Sequence, residues 1–222
     1  PAANLSPVHR PGGRGPSRQP GWALLRDARF ALFFTGNFLS NLGTWFQNIA
    51  QGLLVFRLTG SPFYVGLVNF AQFAAVPVFA PLSGRLADRY DRRRLGILAQ
   101  MVAAGTAGLL AVLYFLRELT PWRLIVGASL LGLANAFSTP VLQTVVAGLV
   151  RPQDLAAALA MNSATYNLAR AVGPVLAVLT VETAGFGVAF LINAVSFCAL
   201  ALALLRIRLE GQGTHPAASP HP

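Results

Sequence analysis

The sequence predicts an all-α, polytopic membrane protein with six transmembrane helices, and three observations carry that reading. Hydrophobic residues fill 55% of the 222 positions and charged residues only 11%, for a mean hydropathy of +0.57, which is more apolar than an ordinary soluble domain. Charge-free runs follow one another along the chain, each reaching the roughly 20 residues that a helix needs to cross the hydrocarbon. The arginines gather between these runs in an alternating pattern of many and few.

Residues 30–56, 58–84, 95–116, 124–150 and 183–205 carry no charge, and 155–181 carries only Arg170. Trimmed at charges and turn residues, they predict helices over about 30–54, 62–84, 95–116, 122–147, 155–181 and 185–205, a bundle occupying residues 24–208. Residues 1–23 form an Arg/Pro/Gly-rich arm without the apolar stretch of a secretory signal, and residues 209–222 have the same unstructured character. Both tails are expected to be disordered. Several function classes are excluded by what the spans contain. All three histidines, His9, His215 and His221, lie in the tails, and Cys198 is the only cysteine. An intramembrane serine hydrolase would lack its base, and zinc or haem would lack a ligand set. No lysine is present for a phosphate-binding G-x-x-x-x-G-K-[ST] loop. No catalytic residue, metal or cofactor is therefore expected, and the chain does not read as an enzyme.

Orientation follows from the basic residues, all 17 of which are arginine. Arg10, Arg14, Arg18, Arg26 and Arg29 precede the first run, and Arg85, Arg89, Arg92, Arg93 and Arg94 separate the second from the third. Arg151, Arg206 and Arg208 fall on that same side, whereas only Arg57, Arg117 and Arg123 fall on the other. The positive-inside rule places both termini of the chain in the cytoplasm. This asymmetry, matched to anionic inner-leaflet lipid, explains the net charge of +10 without nucleic acid as a partner.

Polar residues inside the spans point to a path. In the first helix Asn37, Asn41, Thr44, Asn48 and Gln51 recur at steps of four and three, along one face. Turning unpaired amides toward lipid costs several kcal/mol each, so the stripe must face other helices or a watery cavity. Five positions in register favour a cavity over simple interhelical bonding. The fourth helix repeats the pattern with Asn135, Thr139 and Gln143, and LSNLGT (39–44) resembles LANAFST (133–139), as inverted three-helix repeats would produce. In the fifth, Asn162, Tyr166 and Arg170 share a face; Arg170 either opens on the same cavity or snorkels to phosphate at the inner surface. Ala169, Gly173 and Ala177 make a small-residue face suited to close packing. Pro140 is expected to end or kink the fourth span, and Pro77 and Pro81 to bend the second.

The densest charge in the chain is GRLADRYDRRRLG (84–96), seven charges in thirteen positions. Its spacing resembles the G-x-x-x-D-R/K-x-G-R-R/K signature of the major facilitator superfamily, with Asp91 where that pattern has Gly. LGTWFQ (42–47), RLTGSP (57–62), GLVNFAQF (66–73), LGLANAFSTP (131–140) and NLARAVGP (167–174) extend the resemblance to the branch of siderophore exporters and macrolide-efflux pumps. The resemblance implies the N-terminal half, a 3+3 inverted repeat, of a twelve-helix secondary carrier in the bacterial cytoplasmic membrane. Its implied partners are the lipid bilayer, a small-molecule substrate and a C-terminal six-helix half. It further implies efflux of small amphipathic molecules by alternating access. Gly84, Asp88, Arg89, Arg92 and Arg93 become a cytoplasmic gating loop, and Ala169, Gly173, Pro174 and Ala177 a partial match to the antiporter signature G-x-x-x-G-P-x-x-G. The alternative is a truncated or regulatory six-helix membrane protein without transport of its own.

Overall fold

Each charge-free run folds as one long helix. The computed structural model describes residues 21–207, the side chains of residues 80 and 87–89 excepted. After a 3-10 turn at Gly21–Arg26 come α1 (Ala28–Thr59), α2 (Pro62–Arg89), α3 (Arg92–Phe115), α4 (Pro121–Leu149), α5 (Leu155–Ala184) and α6 (Phe186–Arg206). Residues 21–23, assigned by the sequence to the arm, thus belong to an ordered turn; the rest of the arm and residues 208–222 lie outside the described residues. At 1.5 Å per residue even the 21-residue α6 spans about 31 Å, the thickness of the hydrocarbon.

The boundaries have local causes. Asp27 caps α1 by accepting hydrogen bonds from the amides of Arg29 (2.8 Å) and Phe30 (3.3 Å). Asp91 does the same for α3, accepting from Arg93 N at 2.9 Å and Arg94 N at 3.4 Å. Its φ of −57° needs no glycine, which explains the departure from the signature: the turn is closed by a capping carboxylate. Pro62 and Pro121 occupy first-turn positions, where the missing N–H costs nothing.

Two readings change: the signature is not a loop, and no helix ends at Pro140. Gly84, Asp88 and Arg89 lie within α2 and Arg92 begins α3, so the signature forms two helix ends joined by Tyr90 and Asp91 alone. Nothing in G-x-x-x-D-R breaks a helix, and Asp91 supplies the next start. Pro140 does not end α4, which continues to Leu149, and α2 and α5 likewise run on past Pro77, Pro81 and Pro174. Membrane helices absorb proline because neighbouring helices and side-chain hydroxyls re-satisfy the freed carbonyls.

Five of the described helices, α2 to α6, are long and apolar enough to cross a membrane. α1 is the longest at 32 residues, but its polar stripe leaves no stretch of it as uniformly apolar as those spans. The fold is that of an all-α membrane protein.

The packing is unchanged when α1, α2 and α3 are exchanged with α4, α5 and α6. α1 packs on α5 and α6, α4 packs on α2 and α3, and α3 packs on α6. This is the contact pattern of a three-helix unit repeated about a pseudo-two-fold axis. Small residues make the close approaches that replace a hydrophobic driving force in lipid. A Cβ at Gly132 would strike the backbone of Gln72 across the α2–α4 contact, and one at Gly173 would stand 2.7 Å from Trp45 Cβ across α1–α5. These two contacts are themselves exchanged by the repeat. Burial is uneven in the same symmetric way: 17% of the α2 span and 28% of the α5 span are buried, against 50% in α3, α4 and α6.

One end of the bundle gathers the start of α1, the α2–α3 and α4–α5 junctions and the end of α6, where Arg93 Nε donates to Leu204 O at 2.6 Å and its Nη2 donates to Leu205 O. The opposite end holds the exposed Arg57–Glu182 pair at 2.7 Å.

Candidate functional site: a polar cavity between the two repeats

Four of the five stripe residues on α1, with Asn135 and Thr139 of α4, face one cavity of about 490 Å³. Asn37, Asn41, Thr44 and Asn48 come from α1, Asn135 and Thr139 from α4, and Tyr166 from α5, so seven of the ten positions expected at the cavity line it. A second cavity of about 320 Å³ shares Asn37, Asn41, Thr139 and Tyr166, and adds Asn162 and Gln143. The two are joined through Asn37, whose Nδ2 donates to Asn162 Oδ1 at 2.6 Å. A larger cleft of about 620 Å³, lined by Arg26, Arg29, Arg151 and Asp154 among others, contains none of the stripe residues.

Gln51 is a correction. It is fully buried and lines neither cavity; its Nε2 donates to Leu124 O at 3.0 Å and its Oε1 accepts from Gln47 at 3.2 Å. Gln47 in turn accepts from Asn193 of α6 at 2.6 Å, and Ser196 donates to Asn193. This chain ties α1 to α4 and α6 with interhelical hydrogen bonds. The stripe on α1 thus divides between a cavity and a buried bond network.

Arg170 is a second correction. It is exposed and lies outside the lining of both cavities. Its guanidinium sits 5.6 Å from the centroid of Trp45, and Trp45 meets Tyr166 edge to face at 6.0 Å. The cation thus reaches the site through the ring that forms part of the wall.

Several wall residues were not among the positions expected at the cavity. Gln72 of α2 is buried and donates to Asn48 Oδ1 at 2.5 Å, and Phe73, Val76 and Pro77 add an apolar side. Gln100 and Ser138, both buried, complete it. The described lining contains no charged side chain. Such a wall offers amide and hydroxyl contacts beside apolar surface.

Residues 19–216 match the family described as transmembrane secretion effector. The chain belongs to this family of the major facilitator superfamily. It is 26% identical to the staphyloferrin A transporter of Staphylococcus aureus over 80% of the chain and 45% of that protein. It is 28% identical to macrolide efflux protein A of Streptococcus pyogenes, over 59% of the chain and 33% of the relative. With the enterobactin exporter of Shigella flexneri it shares 28% over 70% of the chain and 38% of that exporter. The chain spans less than half the length of these curated relatives.

Membership gives the remaining signature positions a frame. In this facilitator chain Gly84 has open space around it, Arg92 is half-buried at the start of α3, and Arg93 grips the end of α6; the side chains of Asp88 and Arg89 lie outside the described residues. On α5, Ala169, Gly173 and Ala177 are buried and Pro174 is half-buried, with Gly173 closing on Leu42 and Trp45 of α1.

Proposed function

We propose that this chain forms the N-terminal half of a secondary efflux carrier, which exports small amphipathic molecules across the bacterial cytoplasmic membrane by alternating access. The observation that carries the reading is the uncharged, amide-lined cavity between the symmetry-related α1 and α4, where inverted repeats place a midplane site. α1 crosses the bilayer as the sixth span, and residues 24–208 form one six-helix unit. The basic end of the bundle faces the cytoplasm with both chain termini, in keeping with the arginine asymmetry. A second six-helix half packs on the open side of the cavity, against α2 and α5, the two least buried spans. The signature residues Gly84, Asp88, Arg89, Arg92 and Arg93 latch the two halves on the cytoplasmic side. Antiport with a proton draws support from the partial match at Ala169, Gly173, Pro174 and Ala177. Among the described spans no carboxylate sits mid-helix, so the titrating group belongs to the substrate or to the second half. The carrier uses no cofactor and performs no catalysis.

Accessibility of the cavity tests this reading. In the full-length carrier, made otherwise free of cysteine by Cys198→Ser and any further replacements needed, Asn41→Cys, Thr44→Cys and Asn48→Cys should react with a small charged thiol reagent. Leu39→Cys, on the exposed apolar face of α1, should not. Equal labelling on both faces would remove the cavity and the function built on it.

A further inference from the structure

Among the described helices Arg170 is the one charged residue placed mid-span. Asp154 and Glu182, ion-paired to Arg151 and Arg57, mark the two ends of α5. At 1.5 Å per residue Arg170 lies about 24 Å from the first and about 18 Å from the second, so its stem cannot carry the guanidinium to water at either end. The ring of Trp45 attracts the cation but carries no neutralising charge. Among the described residues no hydrogen bond or ion pair reaches Arg170, and the carboxylates Asp27, Asp91, Glu118, Asp154 and Glu182 all stand at helix ends or in turns. A cation so placed is costly in hydrocarbon, and arginines at this depth turn to a partner or to water. The exposed arc of α5 shows which way this one turns. Ser163, Tyr166, Asn167 and Arg170, at i, i+3, i+4 and i+7, form a polar band, and Leu168, Val172, Val175 and Leu179 form an apolar band on the other side. The apolar band suits lipid. The polar band adjoins the interior of the bundle: its first three members line the smaller cavity, and Arg170 continues it one turn further.

We propose that a carboxylate on a spanning helix of the second six-helix half pairs with Arg170, which makes the polar band of α5 an interface between the halves. A carboxylate neutralises the cation and matches the planar fork of its N–H groups. Lipid phosphate does not serve, because it lies at the ends of α5 and on the side of the apolar band. The transported molecule serves less well, since Arg170 stands outside the lining of both cavities and its charge needs cover whether or not a substrate is bound. The matched region is 45% of the staphyloferrin A transporter, so a protein of that length has room for the second set of helices. The inference rests on the carrier reading above and names the chemistry by which its two halves meet.

Two variants of the full-length carrier test the pairing. The chain contains no lysine, so Arg170→Lys keeps the charge and puts a single side-chain amine into this half. Dicyclohexylcarbodiimide, which enters bilayers, activates a carboxyl group, and an amine in contact with that group displaces the urea to leave an amide. Peptide mass spectrometry should then find position 170 joined to one aspartate or glutamate of a second-half helix. Arg170→Gln removes the cation instead. A buried acid that loses its cation takes up a proton, and the protonated form is the one the reagent attacks, so labelling of the same carboxyl should rise about tenfold or more. Changing that acid to its amide in the Arg170→Gln background should raise the melting temperature above that of Arg170→Gln alone, because no unpaired charge is left. Either the cross-link or the rise in labelling at one second-half carboxyl supports the pairing. Absence of both, or a cross-link to a carboxylate of this chain, overturns it. Labelling of Asn41→Cys, Thr44→Cys and Asn48→Cys reads the carrier proposal separately: if the cavity labels and both carbodiimide signals are missing, the pairing falls and the carrier stands. If the cavity does not label, the carrier reading falls first and the pairing with it.

Discussion

Gly132→Ala adds a single methyl group at the α2–α4 contact, where it has nowhere to go. The new Cβ would lie within 3.0 Å of the Gln72 carbonyl oxygen, 2.8 Å from its carbonyl carbon and 3.0 Å from its Cα. Carbon atoms at rest stand about 3.5–4.0 Å apart, so α2 must retreat by roughly 1 Å or α4 must bend. A side chain in the way could rotate aside; backbone cannot. Overpacking of this kind costs about 1–3 kcal/mol, and the absence of a rotamer escape places it toward the upper end. Alanine gains about 0.8–1.0 kcal/mol of helix propensity over glycine, which leaves a net loss of about 1–2 kcal/mol. Gly105 and Gly108 of α3 have nothing within 4 Å of the same added atom, so there the propensity term acts alone. Denaturation of the full-length protein in micelles, by heat or by titration with sodium dodecyl sulfate, should therefore rank Gly108→Ala at or above the parent and Gly132→Ala clearly below it. Gln72 is also the partner of Asn48, so the displaced helix should carry the cavity wall with it and change the labelling rate of Asn48→Cys. Equal stability of Gly132→Ala and Gly108→Ala would refute the close approach of α2 and α4, and with it the packing that shapes the site.

Two further outcomes follow from side-chain bonds. Asp91→Gly, which restores the signature residue, removes the carboxylate that caps α3 and should lower stability by a few tenths of a kcal/mol to about 1 kcal/mol, whereas Asp91→Asn should be nearly neutral; the same denaturation series reads both. Gln51→Leu breaks the link from Gln47 to Leu124 O and should cost about 0.5–1.5 kcal/mol, while cysteine labelling at Asn41 and Thr44 keeps its rate because Gln51 lies outside the cavity.

How much of this was legible in the chain differs from residue to residue. Helix number and approximate ends were, because a bilayer forces apolar runs of nearly fixed length and the charges between them mark the ends. The signature at 84–96 was recognised, but its form as two helix ends was not, since the capping bond of Asp91 depends on where α3 starts. The α1 stripe was visible through its spacing, yet spacing could not divide it. Steps of four and three average 3.5 residues per turn, and a 3.6-residue helix drifts about 20° each seven residues, so Gln51 stands about 40° around from Asn37. That rotation carries it from the cavity to α4, where Leu124 O accepts its amide, and beside Gln47 of its own helix, which Asn193 of α6 bonds in turn.

The sequence by itself determined a membrane protein whose described residues form six helices, with a polar face on α1 and α4, because solvent alone enforces those patterns along a single helix. Tertiary structure decided which polar groups share a cavity, which are tied off, and which small residues admit a neighbour. Gln100 shows why: on α3 it is one amide among alanines with no periodic companion, and only the approach of α1, α2 and α4 turns it into part of a wall. Arg170 shows the converse, since its charge is plain in the sequence but the ring it rests on comes from α1, more than a hundred residues away. Contacts of that kind depend on how helices meet, and no single helix carries that information.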